Sequence, residues 1–433
     1  MTRIWSTDLA SHAGQPVQLA GWLHRFRQLS QISFLILRDG KGLAQVVIDD
    51  PEQVAELAQL PSETVLRVSG TAVPVAAAPG GIEVQGSTIE VVSVPAEGPP
   101  FDLFRPVIKA QLPTILDHAA VALRHPRQRA LHRLAAASAA GYRAALQARG
   151  FVEIFTPKLV ASATEGGANV FPVDYFGRRA YLAQSPQFYK QIMVGVYERV
   201  FEIGPVFRAE PHDTPRHLNE YVSLDFEMGF IEDHTTVMAM LTDVIRGMLQ
   251  TLDEDGREAL AILNLSLPEV PTEIPVIHFA EAQRRIAAAL GEDVEGEPDL
   301  APAHERWLGD WARQTHGTEF LFVVGYPMAK RPFYTHPQPD CLTYSNSFDL
   351  LFRGLELATG GQRLHRYQDY LAALGGRGLS REPFLGYLDA FEHGMPPHGG
   401  CAIGLERWVA RLVGAANVRE TTLFPRDINR LTP

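Results

Sequence analysis

The residues best suited to chemistry in this chain are arginines and carboxylates in two separated segments, and their types point to a polyphosphate. In one, Val206-Phe207-Arg208-Ala209-Glu210 is followed by a polar loop and then by Arg216-His217-Leu218-Asn219-Glu220-Tyr221. An arginine at a strand end can make paired bonds to a phosphate, and a nearby glutamate can accept from an adenine amino group or hold the loop. A solvated strand-loop-strand hairpin would look the same. The other is Gly399-Gly400-Cys401-Ala402-Ile403-Gly404-Leu405-Glu406-Arg407. Its small residues would let a helix approach a nucleotide, and Arg407 would add a fixed positive charge at the start of that helix. Glycine-rich joints are common, so this segment alone is a weak signal. No Walker A or dinucleotide-binding fingerprint occurs.

These segments need strands and helices to place them. From about Pro126 the residues Leu131, Leu134, Ala135, Ser138, Tyr142, Ala145 and Leu146 fall on one helical face, and Gly150 supplies the stop. A strand, Phe151 to Phe155, follows and ends at Thr156-Pro157. Further strand-like runs are 180–182, 200–208, 223–230, 320–324, 347–351, 354–358 and 400–405. Between 232 and 314 the pattern is mainly helical and acidic, as an insertion into a mixed sheet would be. Earlier in the chain, short β-rich runs at 17–22, 33–38, 44–48, 64–73 and 81–94 are split by turn signals, with helical spacing at 51–60. That order predicts a five-stranded barrel of the OB type over residues 1–97. Proline and glycine then cluster, marking a linker at 98–125 before a catalytic domain at 126–433.

Composition sets limits. At 46% apolar and 21% charged residues, the chain has the balance of a globular protein. No run reaches the ~20 apolar residues needed to cross a bilayer, which argues against a membrane protein. Only Cys341 and Cys401 are present, so a thiolate zinc site and a disulfide framework are excluded and the cytoplasm is the expected compartment. The net charge of -11 runs against nucleic-acid binding, and residues 1–97 are themselves acidic. A local patch, His24, Arg25, Arg27, Arg38 and Lys41, matters more at contact than the global sum, because fields fade over ~8 Å at physiological salt.

Taken in order, the helix and strand ending in Pro157, the Arg208 segment and the Arg407 segment resemble the three signature motifs of class II aminoacyl-tRNA synthetases. HIGH-type and KMSKS-type strings of the other synthetase class are absent. Thr164-Glu165-Gly166-Gly167, Gln184-Ser185-Pro186-Gln187-Phe188-Tyr189-Lys190-Gln191, Gly360-Gly361-Gln362-Arg363 and Gly394-Met395-Pro396-Pro397-His398-Gly399-Gly400 sharpen the resemblance. They look like aspartyl-tRNA synthetases of the archaeal and eukaryotic type, over essentially the whole chain. The fold implied is α+β: an anticodon-binding OB barrel and an antiparallel catalytic sheet flanked by helices.

The resemblance also implies roles. ATP would be held by Arg208, Ala209, Glu210, Arg216, His217, Leu218, Tyr221, Glu356, Gly404, Leu405, Glu406 and Arg407, with Arg208, Glu356 and Arg407 as the catalytic groups. Magnesium would sit by Glu356, with Thr359 and Asp349 nearby; many relatives have serine where Thr359 stands. L-aspartate would be held by Arg208, Thr359, Gln187 and Asp225, by Arg363 and Lys190 at its side-chain carboxylate, and by Glu165 on a closing loop. Arginine plus lysine suits a carboxylate and not an amide, which ranks aspartate above asparagine. In the barrel, Phe34 would be a stacking platform and Arg25, Gln28 and Gln45 polar readers of the anticodon. Loop 73–81 has no charged or aromatic side chain to police the base that separates tRNA-Asp from tRNA-Asn, which motivates the expectation that both are charged. Pro157 would lie at a homodimer interface. An asparaginyl enzyme, a tRNA-independent asparagine-forming paralogue and a non-catalytic RNA-binding derivative are the alternatives; the barrel and the retained Arg208, Glu356 and Arg407 speak against the last two.

Overall fold

The computed structural model describes residues 2–29, 32–161 and 169–432, in two compact units, 1–126 and 127–433. In the first unit, β1 (Pro16–Gln28), β2 (Ser33–Arg38), β3 (Leu43–Ile48), β4 (Val65–Pro74) and β5 (Ile82–Ser93) close a barrel in the order β1-β2-β3-β5-β4. Alternation builds it: Val17, Leu19, Leu35, Leu37, Val46, Leu66, Val68 and Val84 point inward and are buried. Helix α1 (Pro51–Leu57) starts where the Asp50 carboxylate accepts the Glu52 N–H and Pro51 supplies the first turn. Strand β1 runs well past the expected Trp22, because a register shift between Leu23 and Arg25 lets it continue through polar residues. The stretch expected as a linker carries α2 (Leu112–Asp117) and α3 (Ala119–Ala122) and clusters with the first unit.

The second unit opens with α4 (Pro126–Gln147), then β6 (Val152–Glu153), β7 (Leu159–Val160), β8 (Pro172–Tyr175), β9 (Arg178–Leu182) and α5 (Gln187–Tyr197). Strands β10 (Arg199–Phe207) and β11 (Glu220–Gly229) form a long antiparallel hairpin. The stretch expected as a helical insertion holds α6 (His234–Asp255), α7 (Arg257–Leu263), β12 (Val276–His278), α8 (Phe279–Leu290) and α9 (Pro302–His316). It is part of the main body: α6 buries Val237, Leu241, Val244, Ile245 and Met248 in the principal core, and β12 is the edge strand of the main sheet. The chain continues through β13 (Phe320–Val324), β14 (Ser347–Phe352), β15 (Leu355–Gln362), α10 (Tyr367–Gly376), α11 (Leu385–Glu392), β16 (His398–Gly404) and α12 (Leu405–Val413).

The main sheet has the order β12-β13-β14-β15-β16-β11-β10-β6 and is antiparallel except at its two edge pairs. One face is covered by α4, α6 and α12, where Trp408 donates to Ser138 across 3.0 Å. On the other face α8 and α9 cover Leu321, Val323 and Leu351 of β13 and β14, and the central strands carry polar residues. Among the described residues no helix is long and apolar enough to cross a membrane.

Candidate functional site

Strand alternation lays out the site. Along β11, Val222, Leu224, Phe226 and Met228 pack on the core, so Tyr221, Ser223, Asp225 and Glu227 share the opposite face. That face floors a cavity of about 490 Å³ lined by, among others, Lys190, Arg208, Arg216, Asp225, Glu356, Arg363 and Arg407.

At one end of the cavity four buried ionised side chains interlock. The Lys190 ammonium, 1% exposed, lies 3.0 Å from Asp225 and 3.3 Å from Glu227. Arg363 donates to Glu227 at 2.8 Å through Nε, to the Gly400 carbonyl at 3.0 Å and to Gln187 at 3.4 Å. Burial opposes the charges of Lys190 and Glu227, yet Asp225 and Glu227 hold Lys190 above its ordinary range, and Arg363 with Lys190 holds Glu227 below its own. Space for this packing comes from Gly400, where a Cβ would stand 2.1 Å from the Phe226 carbonyl oxygen and 2.2 Å from Glu227 Oε2. The expected aspartate contacts Gln187, Lys190, Asp225 and Arg363 are thus brought together. Glu227 and Tyr334, over which Arg363 stacks at 5.6 Å, join them without having been anticipated. Polar residues at every second position of β11 were the available signal for Glu227.

At the other end, Glu356 and Thr359 face the cavity although they stand three positions apart. A regular strand would turn one of them away. Leu350 pairs with Ala358 but Leu351 pairs with Glu356, so Leu357 is an extra residue on β15. This bulge sends Leu357 and Ala358 into the core and lets Thr359 donate to Glu356 at 3.1 Å. Arg407 donates to the Glu356 carbonyl at 2.9 Å and to its carboxylate at 3.3 Å. Burial pushes Glu356 up, but Arg407 and Arg331 outweigh it and hold the carboxyl low. Asp349, across the ladder from Thr359, is paired with Arg331 at 3.0 Å, and burial raises it to about 6. Among the described residues no group of three or more His, Cys, Asp or Glu is arranged to hold a metal. Two carboxylates and a hydroxyl nonetheless fit magnesium, which keeps several waters and takes one or two carboxylates plus substrate phosphates.

The loop after β10 hangs between these ends. Asn219 closes its base by donating to the carbonyls of Arg208 at 2.7 Å and Glu210 at 3.2 Å. Arg208 lies over the Tyr221 ring at 5.8 Å, while Glu210 stands 4.0 Å from Arg208 and 3.6 Å from His217. Burial lowers His217, which favours its neutral form. Arg419, buried beyond α12, braces the loop through Asp213 at 2.8 Å and the Thr214 carbonyl at 3.1 Å. Arg216 contacts Glu305 of α9. Neither Arg419 nor Glu305 was legible as a site residue, because each acts across a long sequence separation.

Other expected nucleotide contacts separate. Leu218, Gly404 and Glu406 line the cavity. Leu405 is a core residue, and the Ala209 N–H bonds the Asn169 carbonyl. Both oxygens of Glu406 accept the Val222 N–H at 3.1 Å, so this carboxylate ties α12 to β11; burial raises it to about 7. Glu165 lies outside the described residues. Pro157 is exposed, next to exposed Phe155 and Leu159.

On the barrel, Arg25 pairs with Ile36 and Ile36 with Gln45, placing Arg25 and Gln45 in one cross-strand row on the same outer face as Phe34. Phe34 is half-buried, and its partner across the ladder is Arg27; Gln28 pairs with buried Ser33 and so has the other parity. The Glu83 carboxylate accepts from Gln45 at 2.8 Å and from Gln85 at 2.9 Å, so both amides present their oxygens elsewhere. Arg25 also lies over Phe104 at 4.6 Å.

A family model described as "tRNA synthetases class II (D, K and N)" matches residues 111–428, and one described as "OB-fold nucleic acid binding domain" matches residues 17–92. The chain is 47% identical over 432 residues to an aspartate-tRNA(Asp/Asn) ligase of Thermus thermophilus, covering 100% of both. It is 43% identical to one of Deinococcus radiodurans, covering 100% of this chain and 99% of the other. A crystal structure of asparaginyl-tRNA synthetase from Pyrococcus horikoshii complexed with asparaginyl-adenylate superposes with a TM-score of 0.93 at 29% identity, over 100% of both chains.

Proposed function

Because the chain belongs to the class II tRNA synthetases of the D, K and N group, we infer that it joins L-aspartate to tRNA-Asp and to tRNA-Asn in two ATP-dependent steps. The α-carboxylate of aspartate attacks the α-phosphate of ATP and pyrophosphate leaves; a hydroxyl at the tRNA 3′ end then attacks the aspartyl carbonyl and AMP leaves. Neither step needs a side-chain nucleophile, which accords with a cavity furnished for holding and neutralising charge.

The observation that carries the amino-acid assignment is the buried Lys190–Arg363 pair. Both cations line the cavity, and a side-chain carboxylate can accept from each of them, where an amide offers a single acceptor oxygen beside a donor. The asparaginyl structure shares the fold, and that likeness at 29% identity does not select the amino acid. In this reading Asp225 and Gln187 meet the ammonium group, Arg208 the α-phosphate, Tyr221 the adenine and Arg407 the γ-phosphate. Magnesium bound with ATP would neutralise phosphate charge, with Glu356 and Thr359 holding it and Asp349 nearby. Phe34, with Arg25 and Gln45, supports an anticodon face on the barrel. The loop between β4 and β5, closed by Val75 and Gly81, carries only Val, Ala, Pro and Gly, which supports acceptance of both tRNAs. We assign the exposed Pro157 region to a homodimer contact and the cytoplasm as the site of action.

Pyrophosphate exchange with aspartate, asparagine and lysine in parallel tests the first step, and only aspartate is expected to support it. Charging of separate tRNA-Asp and tRNA-Asn transcripts tests the second; exclusion of tRNA-Asn would overturn the dual specificity.

A further inference from the structure

Glu305 belongs to the stretch that sequence patterns leave without a function, and from the first turn of α9 it touches two residues of the cavity wall. Its carboxylate is buried and has two recipients. Oε1 accepts from Arg216 NH2 at 3.3 Å, and Oε2 accepts the backbone N–H of Glu356 at 3.2 Å. The approach of the helix is fixed by a glycine contact: a Cβ on Gly309 would lie 2.5 Å from Gly354 Cα, and one on Gly354 would lie 2.9 Å from Arg306 Cα. Gly354, at φ 69°, forms the turn that leads directly into Glu356. The Arg216 guanidinium is anchored through the nitrogen facing Glu305, while its Nε and NH1 are buried without a hydrogen-bond partner. A guanidinium on the wall of this cavity, its side chain 25% exposed but two of its nitrogens buried and unsatisfied, is suited to an anion that arrives with the substrate.

We propose that Glu305 is a positioning residue for ATP, holding Arg216 and Glu356 in fixed relation at the triphosphate end of the cavity. The inference rests on the reading of Arg216 and Glu356 as ATP contacts. A carboxylate is required because both recipients are donors. In Glu305→Gln the amide oxygen can keep the Glu356 N–H, but the NH₂ group then faces the Arg216 NH2 donor to donor. The substitution therefore releases Arg216 selectively.

The test is pyrophosphate exchange on wild type, Glu305→Gln, Arg216→Ala and the double variant, varying ATP at saturating aspartate and the reverse. Arg216→Ala is expected to raise KM for ATP. Glu305→Gln is expected to raise it about tenfold, in line with loss of one charge-assisted hydrogen bond, with KM for aspartate moving less than about twofold. In the Arg216→Ala background Glu305→Gln is expected to add less than about twofold. Fully multiplicative effects, or equal shifts in both KM values, would overturn the role of Glu305 while leaving Arg216 in place. An unchanged KM for ATP in Arg216→Ala would instead remove the reading of the loop, and the inference with it. Should Glu305→Gln fail to fold, Glu305→Asp, which draws both oxygens back from their donors, is expected to raise KM for ATP alone. A wild-type value there would overturn the proposal.

Discussion

Replacing Lys190 by methionine removes one charge from the closed end of the cavity while nearly keeping the side-chain volume. Lys190, Arg363, Asp225 and Glu227 carry two positive and two negative charges in a space with almost no solvent, with Lys190 3.0 and 3.3 Å from the two carboxylates. The variant leaves a net charge of minus one there. Breaking one partner of a buried ion pair typically costs about 3–5 kcal/mol. For a cooperative unit spanning residues 127–433, at ~2.1 cal/mol/K per residue, that is a midpoint drop of about 5–8 °C. Function should suffer more than stability, because the side-chain carboxylate of aspartate would enter a site that has become anionic. Loss of a desolvated charge partner is worth on the order of 10²–10³-fold, here in kcat/KM for aspartate, with KM for ATP within about twofold. Pyrophosphate exchange with each substrate varied, run below the measured midpoint, reads both quantities. A folded Lys190→Met protein with wild-type aspartate kinetics, or one in which ATP and aspartate constants rise together, would refute the assignment of Lys190 to the amino acid.

Three further outcomes are expected. Phe34→Ala should lower kcat/KM for tRNA roughly 5- to 150-fold, the value of about 1–3 kcal/mol per stacked base, and leave pyrophosphate exchange untouched. In Glu406, burial raises the carboxyl from 4.5 to about 7, so the folded chain holds a proton that the unfolded chain has released. Stability is therefore lost as pH rises from about 4.5 to about 7, by up to on the order of 3 kcal/mol; Glu406→Gln should flatten this dependence in midpoints measured at pH 5 and pH 8. Gly400→Ala drives a methyl against the Phe226 carbonyl and the Glu227 carboxylate. It should cost about 1–3 kcal/mol by overpacking and raise KM for aspartate, measured by thermal denaturation and exchange kinetics.

What could be read from the sequence was whatever repeats at short range. The barrel strands, α4 and the β10–β11 hairpin announce themselves by period and by flanking glycine and proline, and the Arg208 and Arg407 segments follow because each sits at the end of such an element. Where the backbone breaks period, reading stopped early. The sequence pattern ends β1 at Trp22, before its shift near Leu23, and regular alternation sets Glu356 and Thr359 on opposite faces, which the bulge at Leu357 reverses. Short pairings were similarly hidden: the strand expected at 151–155 pairs only through Val152 and Glu153, and β12 lies in a stretch that reads as helical. Glu227 was recoverable from the polar face of β11. Glu305, Arg331 and Arg419 were not, since their importance lies in what they touch, 18 to 206 positions away in sequence.

The bulge at Leu357 means that one strand carries both ends of the cavity and keeps them in phase by counting. Glu356 and Thr359 stand near its start and Arg363 just beyond its end, so the nucleotide and amino-acid ends share one backbone with a single skipped beat. A point substitution here can weaken either end separately. An inserted residue between Thr359 and Arg363 cannot, because it would rotate everything downstream by half a turn and misalign the substrates relative to each other. Variation in the length of this strand should therefore produce dead proteins and not altered specificity, leaving changes of amino-acid preference to side chains such as Lys190 that project from other elements.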